Sequence, residues 1–210
     1  MEIISHRGVW GSTEEQNTLS AFERSLDMNF GVETDIRDYG SKIVISHNMP
    51  KMNCLRLEDL LDLYKKCQSN TKLALNIKSD GLQSELKKLL HEYHVSNYFT
   101  FDMSVPDALG HIKENINSFT RQSEYEKQPA YYDNACGVWL DEFIYHWITI
   151  DTITSHDKNG KSICIVSPEL HHRSHTVEWK DYLMLRSKSF SSKIMLCTDY
   201  PQEAKRYFNE

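Results

Sequence analysis

The sequence predicts an α/β fold built on parallel strands, and two observations predict it. Short β-rich runs alternate along the chain with amphipathic helical stretches, and polar residues collect at the carboxyl ends of those runs, where the loops of a parallel fold build sites. Only one pair of neighbouring runs is joined by a tight turn. The other connections are helical crossovers, which favour parallel strands. Two closures satisfy this alternation: a small (β/α)8 barrel and an open doubly wound sheet. The 210 residues fall short of the roughly 250 of a usual barrel, yet no GxGxxG or GxxxxGK segment supports a nucleotide-binding open sheet.

Ile3–His6 is a short opening strand. Leu19, Phe22, Leu26 and Phe30 recur at helical spacing and predict a helix over about residues 17–29, with Gly31 at its end. Val32–Arg37 and Lys42–His47 are strands flanking the turn Tyr39-Gly40-Ser41. Leu57, Leu60, Leu61 and Tyr64 form a second helical stripe that closes on Lys65-Lys66, the end that favours cations. Leu73–Lys78 is a strand, and Leu82, Leu86, Leu89, Leu90 and Tyr93 mark a third helix. Tyr98–Phe101 is a strand, and Ser104-Val105-Pro106-Asp107 starts a helix. Ile116–Arg121 follows as a strand, with Ser123 to Glu126 as a capping box. Cys136–Leu140 is strand-like, and a helical or irregular stretch runs to about 157. Asn159-Gly160 is a turn, Ser162–Ser167 a strand, His175–Leu185 helical, Lys193–Thr198 the last strand and Pro201–Phe208 the last helix. With Lys42–His47 as an extra arm, eight core strands remain, and no break in composition divides residues 1–210 into separate domains.

Composition excludes several classes of function. Lys and Arg number 24 against 30 Asp and Glu, a net charge of −6, which speaks against nucleic-acid binding. Cys54, Cys67, Cys136, Cys164 and Cys197 are odd in number and form no CxxC pair. Disulfide scaffolds and thiolate zinc sites are therefore not expected, and a reducing, cytoplasmic setting is. The first residues lack a signal-peptide layout, and no apolar stretch approaches the ~18 residues of a membrane helix.

Glu33 and Asp35 lie two residues apart in a strand, so period 2 puts both carboxylates on one face. Facing inward they would repel unless a cation compensates, and hard oxygen donors suit Mg²⁺ or Ca²⁺ better than zinc. An ion pair with Arg37, or a wetted face, would also account for them. His6 and His47 each end an apolar strand, and two such groups can act as base and acid on opposite sides of a phosphorus centre. Arg7 offers a rigid donor fork for phosphate, or a partner for Glu33 or Asp35, and Lys78 adds a point charge. His171, His172 and His175 cluster near Glu169, but their spacing does not match a zinc-binding helix.

Six segments in order carry a resemblance: His6-Arg7-Gly8, Gln16-Asn17-Thr18, Gly31-Val32-Glu33-Thr34-Asp35, Ser46-His47-Asn48, Asn76-Ile77-Lys78 and Thr198-Asp199-Tyr200-Pro201. Together they resemble the motifs of the glycerophosphodiester phosphodiesterase family. The resemblance implies a compact (β/α)8 TIM barrel of phosphodiesterase type, with the His47 arm inserted after the second barrel strand. It implies a divalent metal ion, Mg²⁺ or Ca²⁺, held by Glu33, Asp35 and Asn76. It also implies His6 and His47 as the acid–base pair, with Arg7 and Lys78 at the phosphate. Gln16 stands where the family has glutamate, Asn48 where it has aspartate, and Asn76 where it has a carboxylate ligand. Asparagine can coordinate a hard ion through its carbonyl but supplies no charge.

The expected activity is metal-assisted cleavage of a small, glycerophosphodiester-like phosphodiester. The rivals are a lyase releasing a cyclic phosphate and a noncatalytic phosphoester-binding barrel. Arg121, Trp139 and Glu169, outside the family motifs, are expected to shape the rest of the substrate site; a core role for Trp139, an ion pair of Arg121 with Glu142 or Glu124 and a loop cap at Glu169 are the simpler readings.

Overall fold

Hydrogen bonding joins these elements into an α/β fold with a nearly closed, parallel eight-stranded barrel and surrounding helices. The computed structural model describes residues 1–187, 189–190 and 193–209. The strands are β1 (Glu2–His6), β2 (Gly31–Tyr39), β3 (Lys42–Ile45), β4 (Leu73–Ile77), β5 (Tyr98–Phe101), β6 (Phe119–Gln122), β7 (Gly137–Leu140), β8 (Ser162–Val166) and β9 (Ile194–Thr198). Their order is β5-β4-β2-β1-β9-β8-β7-β6, with β3 added antiparallel to β2. That order alone fits an open sheet as well as a barrel. Thr100 on β5 decides between them. It bridges in parallel to Ser118, directly before β6, and its N–H donates to the Asn117 carbonyl at 2.8 Å. An open sheet would leave that edge bare.

The chain forms two compact units, Ser5–Ser118 and Met1–Ile4 with Phe119–Glu210. In the first, β2 pairs with β4 so that Asp35 stands beside Asn76, and β4 pairs with β5. Helices α1 (Leu19–Asp27), α2 (Leu57–Lys66), α3 (Gln83–Glu92) and α4 (Val105–Lys113) form its outer layer. Their apolar stripes supply the buried Phe22, Leu26, Leu60, Leu61, Leu86 and Leu90, in accord with the sequence periodicity. Thr18 caps α1 by accepting from the Ala21 N–H, and Ser104 caps α4 by accepting from Asp107. In the second unit β6 to β9 pair in parallel, with α5 (Ile150–Lys158), α6 (Thr176–Leu183) and α7 (Pro201–Asn209) as its helices. Among the described residues no helix is long and apolar enough to cross a membrane.

Three local expectations shift. Gly31 does not end α1 but opens β2; Asn29 takes the left-handed position instead, with φ 60°. Asparagine tolerates that conformation, which frees Gly31 for the strand. Ser123 accepts from the Tyr125 and Glu126 N–H groups, but no helix follows, so this is a closed turn and not a capping box. The sixth strand begins at Phe119 and not at Ile116, whose N–H closes α4 by donating to the His111 carbonyl.

The end of β1 is tied to α1 by buried hydroxyls. Ser5 donates to the Gly31 carbonyl at 2.8 Å, and Ser25 accepts from the Val9 N–H at 2.8 Å. Between these anchors Arg7 and Gly8 both have positive φ, 58° and 87°. A Cβ on Gly8 would lie 2.8 Å from the Ala21 carbonyl carbon and Cβ. Only glycine meets both the left-handed turn and the close approach. Gly8→Ala is expected to lower stability by about 2 kcal/mol or more, read as a lower urea midpoint with an unchanged m-value.

Candidate active site

β2 carries Glu33 and Asp35 into the interior, where they are 1% and 0% exposed. Asn76, the register partner of Asp35 on β4, is also buried. Arg7, turned by its left-handed backbone, reaches both carboxylates. Its N–H donates to the Glu33 carbonyl at 3.0 Å and lies 3.2 Å from Glu33 Oε2. Its Nε lies 3.1 Å from Asp35 Oδ2, while Nη1 donates to Gln16 Oε1 at 3.1 Å. Lys78 Nζ stands 3.4 Å from Asp35 Oδ1. His47, just beyond β3, puts Nδ1 3.2 Å from Asp35 Oδ1 and 2.8 Å from Arg7 Nη2. His6 Nε2 is 3.8 Å from Glu33 Oε2. Thus His6, Arg7, Glu33, Asp35, His47, Asn76 and Lys78 all meet on one short stretch of β2 and β4. Arg37, the alternative partner for the carboxylates, donates instead to the Lys78 carbonyl at 3.2 Å.

Gln16 and Asn17 complete the group, although as single residues they had no predicted role. Asn17 donates to Asp35 Oδ2 at 3.0 Å and accepts from the Thr34 hydroxyl at 2.8 Å. Its own backbone is left-handed, with φ 59°, and its N–H donates to the Arg7 carbonyl. The signal for it was the Gln16-Asn17-Thr18 segment, whose side-chain direction only the folded loop defines.

The two carboxylates are driven apart electrostatically. Burial, then the neighbouring Asp35, pushes Glu33 from 4.5 up to about 7, against the pull of His6, Arg7 and Lys78. Burial also works to raise Asp35, but Arg7, Lys78 and the bonds from Asn17 and His47 hold it below its usual value. One carboxylate is thus held ionised and the other is poised to gain or lose its proton near neutrality. Asn76 Oδ1 is buried with no hydrogen-bond partner among the described residues, an arrangement that is costly unless something binds there. Two carboxylates and this carbonyl offer oxygen donors only, so the donor set fits a hard divalent ion.

His47 has two states open to it. Beside the Arg7 guanidinium, which only donates, Nδ1 must accept; beside Asp35 it must donate.

No protein-family model and no curated protein matches the sequence. Solved structures do. A Galdieria sulphuraria protein, provisionally assigned as a glycerophosphodiester phosphodiesterase, superposes with a TM-score of 0.79 at 19% identity, over 100% of this chain and 98% of that one. An Oleispira antarctica phosphodiesterase in complex with the product sn-glycerol-3-phosphate gives 0.71 at 15%, over 100% and 97%. A glycerophosphodiester phosphodiesterase from Agrobacterium tumefaciens gives 0.67 at 12%, over 95% and 96%. The chain has the fold of the glycerophosphodiester phosphodiesterases. The likeness is distant but consistent.

The strand-end polar residues of the second unit are engaged within it. Arg121 pairs with Glu126 and lies 5.9 Å from the Phe143 ring centroid. Trp139 is buried on β7. Glu169 accepts from the Ser167 and Thr198 hydroxyls and, at 3.0 Å, from the Asp199 N–H. The histidine trio disperses: His171 meets Asp141 at 2.9 Å, His172 is a left-handed cap, and His175 lies between Glu169 and Glu203.

A cluster able to coordinate a metal ion also lies here, formed by Glu142, His146 and Glu178 with ligand atoms within 4.8 Å of one another. Its charge is already offset. Arg173 Nη2 donates to Glu178 at 2.5 Å, while Glu142 accepts from the Trp147 and Ile148 N–H groups at 2.8 and 2.7 Å. Tyr182 donates to Glu142 at 3.1 Å, and burial, then Glu142, raises its hydroxyl pKa.

The Glu33 shift has a consequence for stability. A carboxyl whose pKa rises on folding contributes most below its unfolded value and loses that contribution as pH rises through the folded one. In metal-free protein the stability of Glu33→Gln relative to wild type is expected to increase from pH 5 to pH 8, by roughly 3 kcal/mol at most. Urea unfolding across that range measures it; a difference independent of pH would place the Glu33 pKa near its ordinary value.

Proposed function

We propose that the chain is a phosphodiesterase that hydrolyses a small, glycerol-based phosphodiester with a bound divalent ion. The observation that carries this reading is the convergence of Glu33, Asp35 and the unpartnered Asn76 carbonyl with two histidines and two cations. The fold shared with solved phosphodiesterases supports it. The product held by the Oleispira antarctica relative, sn-glycerol-3-phosphate, favours hydrolysis to a phosphomonoester over release of a cyclic phosphate.

Glu33, Asp35 and Asn76 would hold the ion, Mg²⁺ or Ca²⁺, which would polarise a non-bridging phosphoryl oxygen. Arg7 and Lys78 would bind the phosphate and offset charge as it develops. One histidine would take a proton from water and the other would return one to the leaving oxygen. His47, whose Nδ1 lies against both Arg7 and Asp35, would take one of these two roles and His6, beside Glu33, the other.

Phosphorus NMR of glycerophosphodiesters incubated with the protein and Mg²⁺ or Ca²⁺ tests this. A phosphomonoester signal is the expected result, with kcat lowered about 10²- to 10⁴-fold in His6→Ala and His47→Ala. A cyclic phosphate as the end product would make the protein a lyase, and no product under any divalent ion would leave a binding barrel. Metal affinity is a separate readout. It should rise with pH up to about 7, because Glu33 must lose its proton to bind, and Asn76→Glu should tighten it.

A further inference from the structure

A cavity of about 370 Å³ opens beside the candidate active site, lined by Arg7, Gln16 and Asn17 and by the loop after β3, which brings His47, Asn48 and Lys51. Its lining contains no carboxylate. It holds the cationic Arg7 and Lys51, the imidazole of His47, and the amides of Gln16 and Asn48. The Arg7 charge is shared with Asp35 at 3.1 Å. Lys51 is exposed and forms no ion pair among the described residues. The loop that presents it is held by its own bonds: Ser46 donates to the Asn48 carbonyl at 2.9 Å, and the Lys51 N–H donates to Cys54 Sγ at 3.1 Å. Lys51 therefore brings to the cavity a positive charge that no carboxylate among the described residues pairs, in a protein whose net charge is −6, and the cavity is continuous with the proposed phosphate-binding Arg7.

We propose that this cavity binds a second anionic group, a carboxylate or an additional phosphate, on the alcohol that lies on the His47 side of the substrate phosphodiester. The proposal rests on the phosphodiesterase reading above and narrows its substrate class. A neutral polyol arm would meet the amides but leave the Lys51 ammonium with water alone. An anionic arm would pair with it, and the surrounding amides could donate to its remaining oxygens.

A matched pair of diesters tests this: glycerophosphoglycerol, and glycerophosphoglycerate in which one carbinol is replaced by a carboxylate. Binding is measured calorimetrically with divalent ion to the full chain carrying His6→Ala, in which turnover is slowed, and cleavage is measured separately with the unsubstituted chain. The glycerate diester is expected to bind about three- to tenfold more tightly at low salt, with the preference shrinking as salt is added. Lys51→Ala should remove the preference and Lys51→Glu should reverse it. Lys51 is exposed, so neither substitution is expected to disturb the fold, which circular dichroism of each variant checks. Preference and reversal without cleavage of either diester would support the cavity assignment while sinking the phosphodiesterase reading. Equal affinity for the two diesters, or no binding of either, would overturn the cavity assignment, and cleavage in that case would leave the phosphodiesterase reading standing.

Discussion

Two carboxylates carried into the interior two residues apart must be compensated, and that constraint organises the unit Ser5–Ser118. Burial alone would neutralise both groups. Arg7, Lys78, Asn17 and His47 hold Asp35 charged, while Glu33, with fewer partners, is left near its protonation midpoint at neutral pH. The peculiar backbone nearby follows from this need. Arg7 reaches both carboxylates from a left-handed residue, Gly8 allows the chain to pass against Ala21, and left-handed Asn17 bonds to Asp35. Strain of this kind persists only where surrounding bonds over-determine it, and the Ser5–Ser25 hydroxyls with the Arg7–Gln16–Asn17 bonds supply that.

The unit containing Phe119–Glu210 treats its acidic strand ends differently. Glu142, fully buried, gathers two backbone N–H groups, a tyrosine hydroxyl and an imidazole, and so orders the segment that follows β7. Glu169 fastens the residues that follow β9 in the same way. These carboxylates are satisfied by many donors, which lowers the gain from any further ligand. Glu33 and the Asn76 carbonyl are under-satisfied, and that contrast is the physical reason for looking for the ion between β2 and β4.

The alternation of strands and helices was legible because period 2 and period 3.6 are local properties: the stripes of α1, α2 and α3 lie where the apolar spacing puts them, save for Leu19, which opens α1 and is exposed. Element ends were less legible, since Asn29 and Gly31 compete for the same left-handed position and only packing decides. The Ser123 to Glu126 pattern has the letters of a cap, yet the apolar stripe that would continue a helix is missing after it.

By itself the sequence determined which side chains share a strand face, hence that Glu33 and Asp35 stand together, and it displayed the ordered motifs that point to one family of barrels. Tertiary structure alone decided the closure, through a single bridge from Thr100 to Ser118. It alone decided which cations meet the carboxylates, choosing Arg7 and Lys78 over the sequence neighbour Arg37, and it alone left Asn76 Oδ1 without a partner among the described residues. The reason is distance along the chain: propensity and periodicity act over a few residues, whereas Arg7, Asp35, His47 and Lys78 are brought together only by strand pairing and by a left-handed turn that no local pattern encodes.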